Sequence, residues 1–302
     1  MSQLAPPPER LSLGPDGTTV STIAWGMWRL AGSRKEAARL VATALDAGID
    51  FLDTADIYGF DGTQGFGDAE TLLGEVLAAD SGLRSRMVLA TKGGIRPPLP
   101  YDQSPAYLAE AIDASLRRLQ ADRVELYQIH RPDILAHPQE VARALEGAIA
   151  AGKVGCVGVS NFAVAQIDTL HHFLSVPLAS TQPEISPLRL DPFVNGELDQ
   201  AMRLQLRPLA WSPLGGGRLA EPKTESERAV AAALDTVAAD QGVSRTVAAY
   251  SWLMAHPAGI VPIVGSQRPE RITEAAQARS VRWTREQWYA VLVAARGERL
   301  HE

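Results

Sequence analysis

Cysteine is almost missing from this chain. Cys156 stands alone among 302 residues, so no internal disulfide can form, and a reducing compartment suits the protein. Long apolar runs are missing too. No stretch reaches the roughly 18 apolar residues of a membrane span, and the start, MSQLAPPPER, lacks the apolar centre of a signal peptide. Its prolines suggest an extended tail over residues 1–9. There is no basic surplus: 29 basic against 35 acidic side chains give a net charge of -6, which disfavours general nucleic-acid binding. A local basic pocket for one phosphate stays open. Histidine clusters are scarce. The neighbours His171 and His172 fall in helical sequence, where adjacent residues point about 100° apart and grip one ion poorly. These absences predict a cytoplasmic monomer that acts on a small molecule, with no metal site, membrane or nucleic-acid partner.

What is present is a rhythm. After a turn signal at Pro15-Asp16-Gly17 that predicts a small hairpin, short apolar runs alternate with helical ones. The expected strands are 22–25, 49–53, 87–91, 124–129, 154–159, 178–182, 207–211 and 260–264. Helical spacing fills the gaps, with Ser33 and the Ser104-Pro105 pair as N-terminal signals. One helix is expected in part over 190–204, others over 226–239, 244–256 and 269–278, and a last one over 284–296. Strict alternation means a parallel sheet covered by helices. Eight units in a chain with 46% hydrophobic residues favour a closed (β/α)8 TIM barrel forming one domain over residues 1–302, with the hairpin at its N-terminus. A doubly wound sheet is the alternative. It wants Gly-x-Gly-x-x-Gly after the first strand, where the chain reads GMWRLAG instead.

Barrel chemistry sits at the C-terminal ends of strands. Those ends carry Asp53, with Tyr58 in the loop beyond it, then Lys92, His130, Ser160 and Asn161, Gln182, Trp211 and Ser212, and Gly265 and Ser266. A phenol is a weak acid, with a pKa of about 10. A nearby lysine cation favours the phenolate and is expected to lower that value. An aspartate would hold the lysine in place, and a histidine can hydrogen-bond a carbonyl oxygen. Such a set can protonate an oxygen on which charge builds, which is half of a carbonyl reduction. The hydride must come from a nicotinamide cofactor.

The stretches FLDTADIYG, LATKGG, LYQIHRPD, GKVGCVGVSNF, LAWSPLGGGRL and VPIVGSQRPERITEA, in this order, resemble the aldo-keto reductase superfamily, in particular a bacterial oxidoreductase branch. The resemblance covers nearly the whole chain. It implies NADP(H)-dependent reduction of aldehydes or ketones to alcohols. It implies Asp53, Tyr58, Lys92 and His130 as a catalytic tetrad, with Tyr58 as general acid. Ser160, Asn161 and Gln182 would bind the nicotinamide carboxamide, and Trp211 would stack on its ring. The run Ser212 and Leu214-Gly215-Gly216-Gly217 would cover the pyrophosphate. Ser266 and Arg271 would lie around the 2′-phosphate of NADP, with Gly265 and Arg268 in the same cofactor-binding loop and Arg268 adding to a local basic site, and Glu274 would lie near the adenosine. There are departures: Gly265 replaces a lysine found in some members, and Ala275 an asparagine found in many. The loop from Gly59 to Asp68 is long and glycine-rich beside Tyr58, which bears on substrate range. Two other readings stay open: a barrel lyase or aldolase with Lys92 as a Schiff base, and a non-catalytic NADP-binding subunit.

Overall fold

The computed structural model describes residues 2–14 and 17–300. Strands β1 (Arg10–Ser12) and β2 (Thr19–Ser21) pair antiparallel, Leu11 opposite Val20. Pro15 and Asp16 of the expected turn lie outside the described residues.

Eight parallel strands follow: β3 (Ala24–Gly26), β4 (Phe51–Asp53), β5 (Val88–Gly93), β6 (Val124–Ile129), β7 (Val154–Ser160), β8 (Leu178–Gln182), β9 (Arg207–Ala210) and β10 (Val261–Val264). Each pairs with the next, and β10 returns to β3, so the sheet closes into a barrel without an edge. The helices between them are α1 (Arg34–Asp46), α2 (Asp68–Ala79), α3 (Pro105–Leu119), α4 (Pro138–Ala150), α5 (Val164–Phe173), α6 (Glu197–Leu204), α7 (Glu225–Gln241), α8 (Arg245–Met254), α9 (Pro269–Ala275) and α10 (Arg285–Arg296).

Local chemistry starts these helices. Ser33 and Glu36 close a capping box on α1, as do Thr224 with Glu227 on α7 and Thr284 with Gln287 on α10. Ser104 caps α3 ahead of Pro105. The helical run expected over 190–204 divides into a single 3-10 turn at Asp191–Phe193 and α6, with Gly196 between them at φ 90. That left-handed backbone suits glycine and cannot continue a helix. Helix α9 stops at Ala275 and tightens into 3-10 geometry through Ser280.

Side chains alternate across the strands. Phe51, Val88, Leu126, Leu209 and Val261 point into the barrel, and Leu13 and Val20 of the hairpin segment join them from below. Leu52, Leu89 and Val157 face outward into the larger core beneath the helices. Trp252 and Trp288 stack at 4.8 Å between α8 and α10, each indole N–H donating to the other residue's carbonyl at 3.0 Å. The N-terminal stretch meets this end of the molecule: Gln3 bridges to Thr284, and Leu4 N–H donates to the Trp283 carbonyl. Among the described residues, no helix is long and apolar enough to cross a membrane, and no three His, Cys, Asp or Glu side chains are grouped to hold a metal ion.

Candidate active site

The same alternation that sends Phe51 into the lower barrel sends Asp53 into the upper barrel, and it raises Lys92 above Val88 and Ala90. Lys92 Nζ donates to Asp53 Oδ2 at 2.6 Å and to the Thr54 carbonyl at 2.8 Å. Both side chains are buried, Lys92 at 0% exposure and Asp53 at 2%. Buried charges need partners on every face, and Asp53 has them. Its Oδ1 accepts from Gln128 Nε2 at 3.3 Å and from Gln182 Nε2 at 3.1 Å. Burial works against the lysine charge, but Asp53 and Tyr58 together more than offset it and hold the ammonium above its ordinary pKa.

Beyond Asp53 the chain turns and places the half-buried Tyr58 with its ring centre 5.0 Å from Lys92 Nζ. His130 stands edge-on to Tyr58, ring centres 5.8 Å apart. The four residues expected at three strand ends therefore share one corner of the barrel mouth. The pKa expectation for the phenol is corrected. Burial dominates and pushes Tyr58 above its ordinary value, with Lys92 pulling the other way without reversing it. Burial, then Lys92, drives His130 well below the normal histidine range. At neutral pH the site thus holds a protonated phenol, an ammonium and an uncharged imidazole.

Ser160, Asn161, Gln182 and Trp211 form the adjoining wall and are bonded to one another. Asn161 Nδ2 donates to Ser160 Oγ at 2.9 Å and to the His130 carbonyl at 3.1 Å, and its Oδ1 accepts from Trp211 Nε1 at 3.0 Å. Ser160 Oγ donates to the Gln182 carbonyl at 3.0 Å. Past β9, Ser212 and Gly215 to Gly217 all adopt positive φ. A Cβ at Gly216, Gly217 or Gly265 would meet nothing, so backbone there borders open space. The loop after β10 is pinned to β3: Trp25 Nε1 donates to the Ser266 carbonyl at 3.0 Å, and Gln267 Nε2 to the Gly26 carbonyl at 3.2 Å. Arg268 pairs with Glu270 on the surface at 2.5 Å. Arg271 is exposed on the first turn of α9, and Glu274 is half-buried.

Several neighbours were missed by sequence reasoning. Gln128 lies opposite Lys92 on β6, two residues before His130, and that parity was the available signal. Trp28 stands 62% exposed just past β3, with the Arg29 guanidinium 4.6 Å from its ring. Asp56 is buried, its backbone N–H bonded to the Lys92 carbonyl. The glycine-rich loop after Tyr58 is organised by Asp61, which accepts from Thr63 and Gln64 N–H groups at 2.8 and 2.9 Å. These bonds pull its carboxyl down to about 2.

A closed eight-stranded barrel with this set of residues at one mouth defines a class, and the comparisons place the chain within it. The chain belongs to the Aldo/keto reductase family, whose model matches residues 22–292. It is an oxidoreductase of a family that reduces carbonyl groups and generally uses nicotinamide cofactors. A protein of Novosphingobium aromaticivorans named 6-dehydroglucose reductase is 69% identical over 99% of this chain and 100% of its own. A protein of the same name from Agrobacterium fabrum is 37% identical over 96% of this chain and 99% of its own. The fold matches the crystal structure of a thermostable aldo-keto reductase, Tm1743, in complex with the inhibitor epalrestat, at a TM-score of 0.81. The match covers 94% of this chain and 99% of that one at 23% identity.

Proposed function

We propose that the protein reduces 6-dehydroglucose, or a sugar aldehyde of closely similar shape, to the corresponding alcohol with NADPH. The observation that carries this is the 69% identity, end to end, with a 6-dehydroglucose reductase. Tyr58, Lys92, Asp53 and His130 are assigned the chemistry. The uncharged His130 donates a hydrogen bond to the aldehyde oxygen and fixes its direction. A bound reduced nicotinamide supplies the hydride. As the carbonyl oxygen becomes anionic, Tyr58 gives it the phenolic proton. A phenol with a raised pKa keeps that proton until the oxyanion forms, and the Lys92 cation then steadies the phenolate. Asp53 keeps Lys92 charged and aimed. The same ion pair disfavours a Schiff-base role, which needs an uncharged amine.

The residues fit a dinucleotide. The open backbone at Gly216 and Gly217 suits a pyrophosphate, with Ser212, Leu214 and Gly215 shaping the loop. Trp211 offers a ring for the nicotinamide, whose carboxamide would exchange with the bonds among Ser160, Asn161 and Gln182. Ser266, Arg268 and Arg271, beside the open Gly265, are assigned to the 2′-phosphate, and Glu274 to the adenosine. The lone cysteine suits a reducing, cytoplasmic setting, and the single closed barrel suits one domain.

The test is consumption of NADPH with 6-dehydroglucose, followed by absorbance, beside titrations of NADPH and NADH. Turnover with tighter NADPH binding is expected. Tyr58→Phe should lower kcat by about 10²–10⁴-fold, the usual worth of a general acid, while NADPH still binds. NADPH binding without turnover of any aldehyde would favour a non-catalytic subunit, and equal affinity for the two cofactors would remove the 2′-phosphate assignment.

A further inference from the structure

On the helix-facing side of β5, across the strand from the Lys92 side chain, lies a carboxyl group that the mechanism does not use. Asp56 is 1% exposed, and neither of its carboxyl oxygens has a hydrogen-bond partner among the described residues. Its backbone N–H donates to the Lys92 carbonyl at 3.0 Å, so the residue rides on the strand end that carries the lysine. Across from it is the hydroxyl of Tyr127, a residue also fully buried, and this hydroxyl too is without a partner. The two groups flank one point. A Cβ on Gly93 would fall 2.1 Å from Tyr127 Oη and 3.1 Å from Asp56 Oδ2. Glycine at 93 is what leaves room for both.

The charges around Asp56 are already committed. On β5, Lys92 is bound to Asp53 at 2.6 Å. On α3, Arg118 is bound at 2.7 Å to Glu70, which reaches in from α2 and also accepts from Thr91. The remaining titratable neighbours, Tyr58 in the same loop, Tyr107 on α3 and Tyr127 on β6, carry no positive charge. Glu70 is a second buried carboxylate, so an ionised Asp56 would face like charge, no cation in contact and, as donor, only the poorly aligned N–H of its neighbour Ile57. An ion in that setting is expensive, whereas a carboxylic acid beside a hydroxyl needs only one neutral hydrogen bond. The direction of both acidities agrees. Burial, then Glu70, pushes Asp56 well above the carboxylate range, with Arg118, the Ile57 N–H and Lys92 opposing without reversing it; burial, then Asp56, pushes Tyr127 up.

We propose that Asp56 is a positioning residue that stays an uncharged carboxylic acid opposite Tyr127, seating the strand end that carries Lys92 while leaving the lysine charge to Asp53 and Tyr58. The consequence is electrostatic. An ionised Asp56, even across β5 from the lysine ammonium, would push the Tyr58 phenol further up and work against the Lys92 cation that steadies its phenolate. A neutral acid gives the same shape and hydrogen bonding without that competition. This reading rests on the proposed reductase function for its kinetic arm only.

The experiment compares wild-type protein with Asp56→Asn, which keeps shape and hydrogen bonding and cannot ionise, and with Asp56→Leu, which keeps neither donor nor acceptor. The first readout is thermal stability against pH, with no substrate present. The folded protein holds the Asp56 proton, and the unfolded chain releases it above about pH 4. Stability of the wild type from this group is therefore complete below that pH and declines as pH rises toward the folded value. The Tm gap between Asp56→Asn and wild type should widen in favour of the variant from pH 4 to pH 7, on the order of several degrees for a large shift. A gap that stays flat overturns the proposal. The second readout is kcat against pH with a simple aldehyde and saturating NADPH. Asp56→Leu should lose about tenfold in kcat, the upper worth of one neutral hydrogen bond, and Asp56→Asn should recover most of it with the Tyr58 limb unmoved. A limb displaced to lower pH in Asp56→Asn would mean that a real negative charge had been removed, and would also overturn it. If Asp56→Leu does not fold, the wild-type and Asn arms decide alone. Absence of 6-dehydroglucose turnover would count against the proposed substrate and leave the Tm arm intact.

Discussion

The lower and upper halves of the barrel interior are made by the same strands and obey different physics. Below, Phe51, Val88, Leu126 and Leu209 meet Leu13 and Val20 of the hairpin segment in an apolar cluster, with the Arg207 guanidinium at its margin bonded to the Ser12, Ala258 and Gly259 carbonyls. Each such side chain contributes about 1.5–3 kcal/mol by leaving water. Two residues further along β4 and four along β5, Asp53 and Lys92 are equally buried but ionised. Desolvation cancels much of what their attraction supplies, so the pair adds little net stability while making either partner costly to remove. The lower half holds the fold. The upper half is tolerated because the lower half exists, and its arrangement makes sense only as chemistry.

Removing Lys92 should separate the halves most strongly. Lys92→Met strips Asp53 of its cation and leaves it with only the amides of Gln128 and Gln182. Stability should fall by about 3–5 kcal/mol. The phenolate of Tyr58 loses its stabilising charge, so kcat should fall by about 10²-fold or more. Denaturant unfolding and steady-state kinetics measure the two losses. A variant that lost rate but kept full stability would show that Asp53 takes up a proton freely, and that the upper half is less strained than its burial implies.

The converse substitution lies two residues before Asp53. Phe51→Ala opens a hole in the lower cluster and should cost about 3–5 kcal/mol, since a large buried aromatic is truncated to a methyl. The pair above is held by β5 and by the amides of Gln128 and Gln182, so the folded fraction should keep kcat within about threefold, the small change expected for a site without contact to the chemistry. A kcat loss as large as that of Lys92→Met would mean that the two halves are coupled and that the division drawn above is false.

What the sequence revealed follows the same division. The lower barrel was legible as alternation, because Phe51 and Val88 belong to short apolar runs bounded by polar turns. Helix starts were legible where the cap is local, as at Ser33 and Ser104. The charged members of the upper site were legible because an acid, a lysine and a histidine at strand ends are chemically conspicuous. Their supports were not. Gln128 is one polar residue within a strand, and only closure of the sheet brings its amide to Asp53. Glu70 and Arg118 are 48 residues apart and look like ordinary helix-surface charges until α2 and α3 pack together. The net direction of the Tyr58 shift was hidden for a related reason: the sequence shows the lysine next to the phenol but not the depth of burial that outweighs it.

The smallest expected effect concerns His130, the one member of the upper site that titrates near physiological pH in the unfolded chain but not in the folded protein. Its folded pKa is driven down by burial and by Lys92, while in the unfolded chain it returns to about 6.5. Above that value the imidazole is neutral in both states and adds no pH dependence. Below it, the unfolded chain takes up a proton that the folded protein refuses, so stability declines as pH falls from about 6.5 toward the folded pKa. The slope from one such group is at most about 1.4 kcal/mol per pH unit. His256 is shifted in the same direction by burial and contributes a parallel decline, so His130→Asn should flatten the acid limb of a stability profile only in part. The Cys156 thiol beside the lower cluster is pushed by burial up to about 12, far outside this pH range, so Phe51→Ala should displace the whole profile downward without changing its shape. If His130→Asn leaves the acid limb unaltered, His130 is accessible enough to accept a proton in the folded state. The neutral imidazole assigned to the aldehyde oxygen would then have to be abandoned below pH 7.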